Sequence, residues 1–478
     1  MRNRLVKRCD QIALAMFYVL MADVCIFGAG KLVSVGPLSF RMILLALTAL
    51  VSLPVMLKHF SYLIKNKYTF AIGGFCIWLI FATILGIKNQ HSTNLIITDI
   101  KGFLYFALFP IAMCLIRTKR RTEALSKIMM YSAAVMGILH ILCIIWYLLH
   151  RDSIIAYSAK AFDIHFFYIS YTISLTNVRI NFLSLPCLLF GCALSVYYQI
   201  KEKATWKKYV YALITAICLF ALFLSYTRSI YLGAAVAAFG TVVVLLIRTG
   251  WTEKKRLIAH VCGSVAIFFV IIAAFRIGTG TDYFRYGVSR AFIGIDGAGS
   301  HQETVVETSP TEVMTQPEDA TTEATTEATT EPTTENNSGE TDGLLNSTIS
   351  SDNLRSLTVS DLIANIRSSP IWGLGLGATI PSRPGGLNEY FFLDLWSKTG
   401  LIGFCLYIAP LVFMLWDFIK LLRARNDRFH LVGVWFVIIL GFVAYSYFTP
   451  CMNSSVGIMC YCCAMAVSQQ SSVDLFTK

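Results

Sequence analysis

Charge is scarce in this chain. Of its 478 residues only 14 % are Asp, Glu, Lys or Arg, whereas 56 % are hydrophobic. Soluble domains carry roughly a quarter charged residues, so a fold with a water-facing surface all round is excluded and a polytopic membrane protein is expected. The local signatures of common soluble enzymes are also missing. There is no Walker A loop, no H-E-x-x-H and no Cys/His pair at zinc spacing, which argues against P-loop, zinc-protease and zinc-finger chemistry. Fourteen cysteines are present, yet none falls in the long polar interval 276–390. Those in apolar runs, such as Cys143, Cys187, Cys192, Cys218 and Cys262, read as buried small hydrophobes rather than a disulfide framework.

The charge that is present is patterned. The net charge is +12, but 24 of the 40 Lys+Arg residues lie in six short clusters between apolar runs: RNRLVKR, KHFSYLIKNK, RTKRRTEALSK, KEKATWKK, RTGWTEKKR and KLLRARNDR. Such spacing is a topology signal and not a nucleic-acid surface. The basic leader and the apolar run after it resemble a signal peptide. That run is near 20 residues and lacks a small-x-small cleavage site, so it reads as an uncleaved first helix.

A helix needs about 20 apolar residues to cross a bilayer core. Spans are expected at 12–30, 38–57, 69–87, 96–116, 128–149, 181–199, 209–226, 229–247, 257–275, 400–419, 431–448 and 456–468. Twelve spans put both termini and all six basic clusters on one side, which is therefore expected to be the cytoplasmic side. The chain then divides into a bundle over 1–275 (spans 1–9), an extracytoplasmic loop over 276–390, and a second bundle section over 391–478 (spans 10–12). Within the loop, about 301–345 is a Thr/Glu-rich tract without aromatics, expected to be a disordered insert because it cannot offset its chain entropy by burial. Residues 353–367 read as an amphipathic helix. Val359, Leu362, Ile363 and Ile366 share one face, and Pro370 ends the helix. Arg355 continues that stripe and needs an anionic partner or a route to water.

The stretch NIRSSPIWGLGLGA (365–378) invites a nucleotide-loop reading. It is not G-x-G-x-x-G and opens no βαβ unit, so its glycines are expected to let the chain pack closely on the bundle, with Trp372 and Leu374 at the membrane interface. His140 and His260 are expected to serve packing or interhelical hydrogen bonds. Asp23 shows no partner in the sequence and is read as structural. That leaves three outward-facing arginines. Arg228 tops the eighth span, Arg355 lies on the 353–367 helix, expected to dock on the outer face of the bundle, and Arg179 sits where the 150–180 loop re-enters the membrane. Arginine is disfavoured in short translocated loops. Each has a plain reading as a snorkelling side chain, and a functional one as a phosphate clamp.

The order of motifs resembles the O-antigen ligase and polymerase superfamily of bacterial surface-polysaccharide enzymes. SYTRSIYLGA looks like its S-x-x-R motif, with Arg228 in the arginine position. RSLTVSDLIANIRSSPIWGLGLGA is similar to its R-x14-P-x-x-G-x-G motif, with Arg355 leading. NEYFFLDLWSKTGLIGF resembles the segment that enters G-[LI]-[LI]-G at Gly400 and Gly403. The resemblance covers about 205–470. It implies a glycosyltransferase, without metal or other cofactor, that acts on undecaprenyl-diphosphate-linked oligosaccharides. Arg228 and Arg355 would be catalytic and bind the diphosphate, joined by Arg179, Asn388 and Tyr390 around diphosphate or glycan. The family's third motif often opens on a histidine; here Leu387, Asn388, Glu389 and Tyr390 stand there instead. That departure favours a polymerase of repeat units over a ligase of finished glycan, with Glu389, or else Asp394, as base. The plain readings are a solvated carboxylate for Glu389 and an i,i+4 pair with Lys398 for Asp394. The lipid bilayer and the chain-length regulator and flippase of the same pathway are the implied partners, and nucleic acid is not one. A transporter or flippase of lipid-linked sugars stands as the rival of a different class, expected to carry mid-membrane charges.

Overall fold

A computed structural model describes residues 2–28, 34–35, 38–150, 167–171, 178–280, 339–385, 389–426 and 428–476. The described chain is helical apart from two antiparallel ribbons. In chain order the elements are α1 (Arg2–Phe27), β1 (Ser34–Val35), β2 (Leu38–Ser39), α2 (Phe40–Lys58), α3 (Phe60–Ile64), α4 (Lys67–Lys88), α5 (Thr93–Phe103), α6 (Leu108–Leu115) and α7 (Lys119–His150). Then follow β3 (Phe167–Tyr171), β4 (Val178–Phe182), α8 (Leu188–Lys201), α9 (Thr205–Leu224), α10 (Arg228–Leu246), α11 (Trp251–Thr279), α12 (Gly339–Ser368), α13 (Phe391–Arg423), α14 (Phe429–Ser446) and α15 (Ser455–Phe476).

Ten helical stretches are long and apolar enough to cross a membrane. They coincide with ten of the twelve expected spans. The sixth is a shorter apolar helix, Leu185–Lys201, and the twelfth falls on α15. These two are also the most enclosed. Leu188 through Gln199 are all buried, as are Ser455 through Ser468. A helix jacketed by other helices meets no lipid along its length, so the length rule for a lipid-facing span does not bind it. At the opposite extreme α11 has only 11 % of its apolar window buried and lies at the rim.

The basic clusters meet at one end of the bundle. Asp10 pairs with both Arg117 and Arg121, Arg117 also touches His59, Lys67 pairs with Asp417, and Lys201 reaches Glu123 at 2.8 Å. A polar cavity of about 420 Å³ there is lined by Lys119, Lys201, Glu253 and Arg428, which come from four of the clusters. This common end is what an even number of crossings between successive clusters requires.

Two expectations change. Asp23, read as partnerless, accepts from Arg41 Nε at 2.7 Å, and Arg41 also donates to Ser455 Oγ at 3.3 Å. Both charged groups are buried. The partner lay across the α1–α2 connection, where no sequence spacing reveals it. The amphipathic helix is also longer than 353–367, since α12 begins at Gly339 and takes in the last residues of the 301–345 insert. The remainder of that insert, to residue 338, lies outside the described residues. On α12 the buried face centres on Thr358 and Leu362, while Ile363 is exposed. The stripe is turned from the one drawn on apolar residues alone, because Thr358 can satisfy its hydroxyl on the Leu354 carbonyl at 2.8 Å and so be buried.

Helices α10 and α14 pack face to face at glycines. At their crossing a methyl on Gly233 would sit 2.7 Å from the Gly441 carbonyl oxygen, and one on Gly441 equally close to the Gly233 oxygen. Small residues let membrane helices approach to backbone contact. We expect Gly233→Ala to lower unfolding stability in detergent by about 1–3 kcal/mol, whereas Gly263→Ala, with open space around it, leaves it unchanged. Equal melting midpoints for the two variants would contradict this packing.

Candidate functional site

At the end opposite the basic clusters, Ser225–Thr227 turn the chain from α9 into α10. Tyr226 takes a left-handed φ of 49° and is buried, and Thr227 Oγ1 donates to the Ser225 carbonyl at 3.1 Å. The turn delivers Arg228 as the first residue of α10. Its neighbour Ser229 shares a 3.1 Å hydroxyl contact with Thr449, in the connection after α14. In that connection Tyr447 and Phe448 pack edge-on and tilted against Tyr390, at 5.7 and 5.9 Å between ring centroids.

Tyr390 joins Leu362 and Ile380 in a small core of its own, flanked by Val359 and Leu393. Three elements therefore close on one another here: α12, the turn at Ile380–Arg383, and the start of α13. Each contributes one charged side chain. Glu389 accepts from Arg355 Nε at 3.1 Å and from Arg383 Nη2 at 3.0 Å, one guanidinium on each carboxylate oxygen. All three remain open to solvent, at 37 %, 29 % and 31 % exposure for Arg355, Arg383 and Glu389. The expected anionic partner of Arg355 is thus Glu389, a carboxylate that is paired as well as solvated. The turn is held to α12 by Asp361, which accepts from the Ser382 amide at 3.0 Å. The adjacent Ser382 hydroxyl and this amide keep the Asp361 carboxyl below its ordinary value of 3.8. A depressed carboxyl stabilises the fold above its unfolded value and loses that contribution as pH falls through its own. The contact is therefore expected to hold at neutral pH and to loosen only below about pH 4, read as a drop in the protection of the Ser382 amide relative to its intrinsic exchange rate.

Behind the clasp the glycine-rich segment is a plug. Gly375 N donates to the Lys398 carbonyl at 3.0 Å, Leu376 N to Ala82 at 3.0 Å, and Asn89 Nδ2 reaches the Leu374 carbonyl at 2.8 Å. Gly375 has φ 92°, and a Cβ there would collide with the Gly86 backbone of α4. The glycines serve close approach, as expected, while Trp372 stacks on Trp78 at 5.7 Å. Gly400, at φ 67°, breaks α13 into an outer piece and a longer span beneath the plug.

The outer piece of α13 carries a second ionic centre. Lys398, 5 % exposed, bonds Asp99 and Asp394, each at 2.9 Å. Asp99 accepts in addition from the Gly377 amide at 2.7 Å. Asp394 therefore has the i,i+4 pairing read from sequence; Asp99, from α5, was not foreseen. Charged letters inside apolar runs, IITDIKGFL and LWSKTGL, were the available signal. Arg383 was missed too, although the argument that singled out Arg228, a cation in the presumed translocated interval, applies equally to it.

Not every expected residue is placed. Arg179 lies on β4 opposite Ser170, but its side chain is outside the described residues, as is Asn388. His140 accepts the structural role expected of it, within 2.9 Å of the Ile180 carbonyl and edge-on to Phe182. Among the described residues no cluster of three or more His, Cys, Asp or Glu has the geometry to hold a metal ion.

An apolar groove of about 920 Å³ runs between α2, α4 and the α5–α6 segment. It extends from Leu63 and Thr69 to Thr83 and Ile84, nearly the length of α4. Phe103 lines both this groove and the small space around Lys398.

No known family model matches this chain, and no curated protein matches it.

The Lys398 centre yields a stability prediction. Lys398→Met leaves the buried Asp99 and the half-buried Asp394 without their cation and should cost about 3–5 kcal/mol. Adding Asp99→Asn should recover part of that loss. A single-variant melting midpoint equal to the parent's would refute the pairing.

Proposed function

We propose that this chain is a membrane glycosyltransferase that polymerises undecaprenyl-diphosphate-linked oligosaccharide repeat units into a surface polysaccharide such as a capsule, exopolysaccharide or O-antigen. It would work in the bacterial plasma membrane with twelve spans, both termini in the cytoplasm and the α12 clasp outside. What carries the reading is one cluster, two guanidiniums from separate elements converging on a solvent-open carboxylate, connected through Tyr390 and Thr449 to the turn that bears Arg228. The motif order read from sequence supports it, as does the long apolar groove, whose lining suits an isoprenoid chain.

The chemistry follows from charge. An acceptor hydroxyl oxygen attacks the anomeric carbon of the donor. The bond from that carbon to the diphosphate breaks, and its electron pair stays on the leaving oxygen. Fixed guanidiniums stabilise this developing charge best in a site with little water to reorganise, and they keep their charge at any working pH. Arg228 and Arg355 take that role. The hydroxyl proton goes to a carboxylate at the mouth. Glu389 is the candidate once one of its guanidiniums turns to the substrate.

One rival keeps an observation in its favour. Buried charges within apolar helices, Asp23 with Arg41 and Asp99 with Lys398, are features a transporter of lipid-linked sugars is expected to carry. A single assay separates the readings. The full chain is reconstituted in vesicles with a lipid-linked repeat unit, and the products are resolved by length. A ladder is expected. A single transferred band would mean ligase-type transfer, and leaflet exchange without product would mean a flippase. Arg228→Ala and Arg355→Ala should each lower product formation about 10²- to 10³-fold while expression and melting behaviour persist. Undiminished product from both would end the clamp reading.

A further inference from the structure

The Arg355–Glu389–Arg383 cluster is a site already filled by the protein's own anion. Each Glu389 oxygen takes one guanidinium, so both ends of the carboxylate are engaged by cations although its solvent side stays open. Two cations on one carboxylate leave the cluster one positive charge in excess. Arg383 Nε is buried and has no hydrogen-bond partner among the described residues, so this fork holds a donor in reserve. Two guanidinium forks offer more N–H groups than one carboxylate can accept, and their planar spacing fits phosphate oxygens bidentately. The three side chains come from three elements joined by a small core, which fixes the distance between the forks while the solvent side stays open.

We infer that Arg383 is a further diphosphate-binding residue and that Glu389 is a displaceable internal anion, which occupies the two arginines until a diphosphate takes its place. The device rests on the proposed function for its ligand, the diphosphate of a lipid carrier. It keeps the arginine pair assembled while the site is empty, and it frees the Glu389 carboxylate only after the donor's diphosphate has entered. The carboxylate thereby becomes available to an acceptor proton at the moment a donor is present to react.

The test is direct binding. The full chain in detergent is titrated calorimetrically with inorganic pyrophosphate, and the titration is repeated with phosphatidylcholine vesicles carrying undecaprenyl diphosphate. Glu389→Gln removes the competing charge at nearly constant shape. It should bind both probes about five-fold more tightly than the parent, the size of one exposed ion pair. Arg383→Ala should bind at least about ten-fold more weakly, and Arg383→Ala combined with Glu389→Gln should fall below Glu389→Gln alone. Melting midpoints taken on the same samples establish that each variant is folded. Unchanged or weaker binding by a folded Glu389→Gln overturns the displaced-anion inference, even where a product ladder supports the polymerase. Tighter binding of pyrophosphate with no product on any lipid-linked glycan would instead sustain the anion exchange and sink the substrate assignment.

Discussion

An ammonium group held between two carboxylates is the interaction on which this end of the molecule depends. Lys398 is buried, and a buried charge persists only where opposite charge and hydrogen bonds replace the water it has lost. Asp99 and Asp394 supply both. Because Asp99 also accepts the Gly377 amide, the ion cluster fastens three separate stretches of chain together: α5, the outer piece of α13, and the glycine-rich plug. The break at Gly400 then falls directly beneath the plug, with the Leu401 amide donating to the Pro370 carbonyl at 2.9 Å.

The guanidinium cluster stands on that base. The plug fixes where the chain emerges after α12, and the turn at Ile380–Arg383 follows from it within a few residues. The turn and the first residues of α13 meet the Leu362 face of α12. Arg355, Arg383 and Glu389 are consequently held from three directions, the arrangement that preorganised charge requires. Elsewhere the bundle follows the same rule of compensation. Arg41 meets Asp23 in the spans, Lys67 meets Asp417 where Tyr68 and Ser468 also bond the carboxylate, and Asp10 meets two arginines at the basic end.

The two arginines singled out first in the sequence are related in space only through intermediaries. Ser229, Thr449, Phe448 and Tyr390 form the chain of contacts from the Arg228 turn to the Arg355 clasp. None of these residues has a sequence pattern that marks it for such a role. A hydroxyl pair and an aromatic edge contact become visible only when helices far apart in the chain are laid side by side.

What the sequence determined by itself is local. Ten of the twelve expected spans were legible because bilayer thickness sets a length that a lipid-facing apolar run must meet, and the common end of the basic clusters followed from counting the runs between them. The end of α12 and the close-packing use of its following glycines were also readable, since a terminating proline and small residues act on near neighbours, whereas its start and its buried stripe differed from the periodicity drawn on apolar residues. The tertiary structure alone decided the partners. Arg41 for Asp23, Asp99 for Lys398 and Arg383 beside Arg355 are pairings between segments that the sequence leaves free to meet anything. The reason is physical. The cost of an unpaired charge is written in each residue, but the identity of the group that removes it depends on how the helices pack.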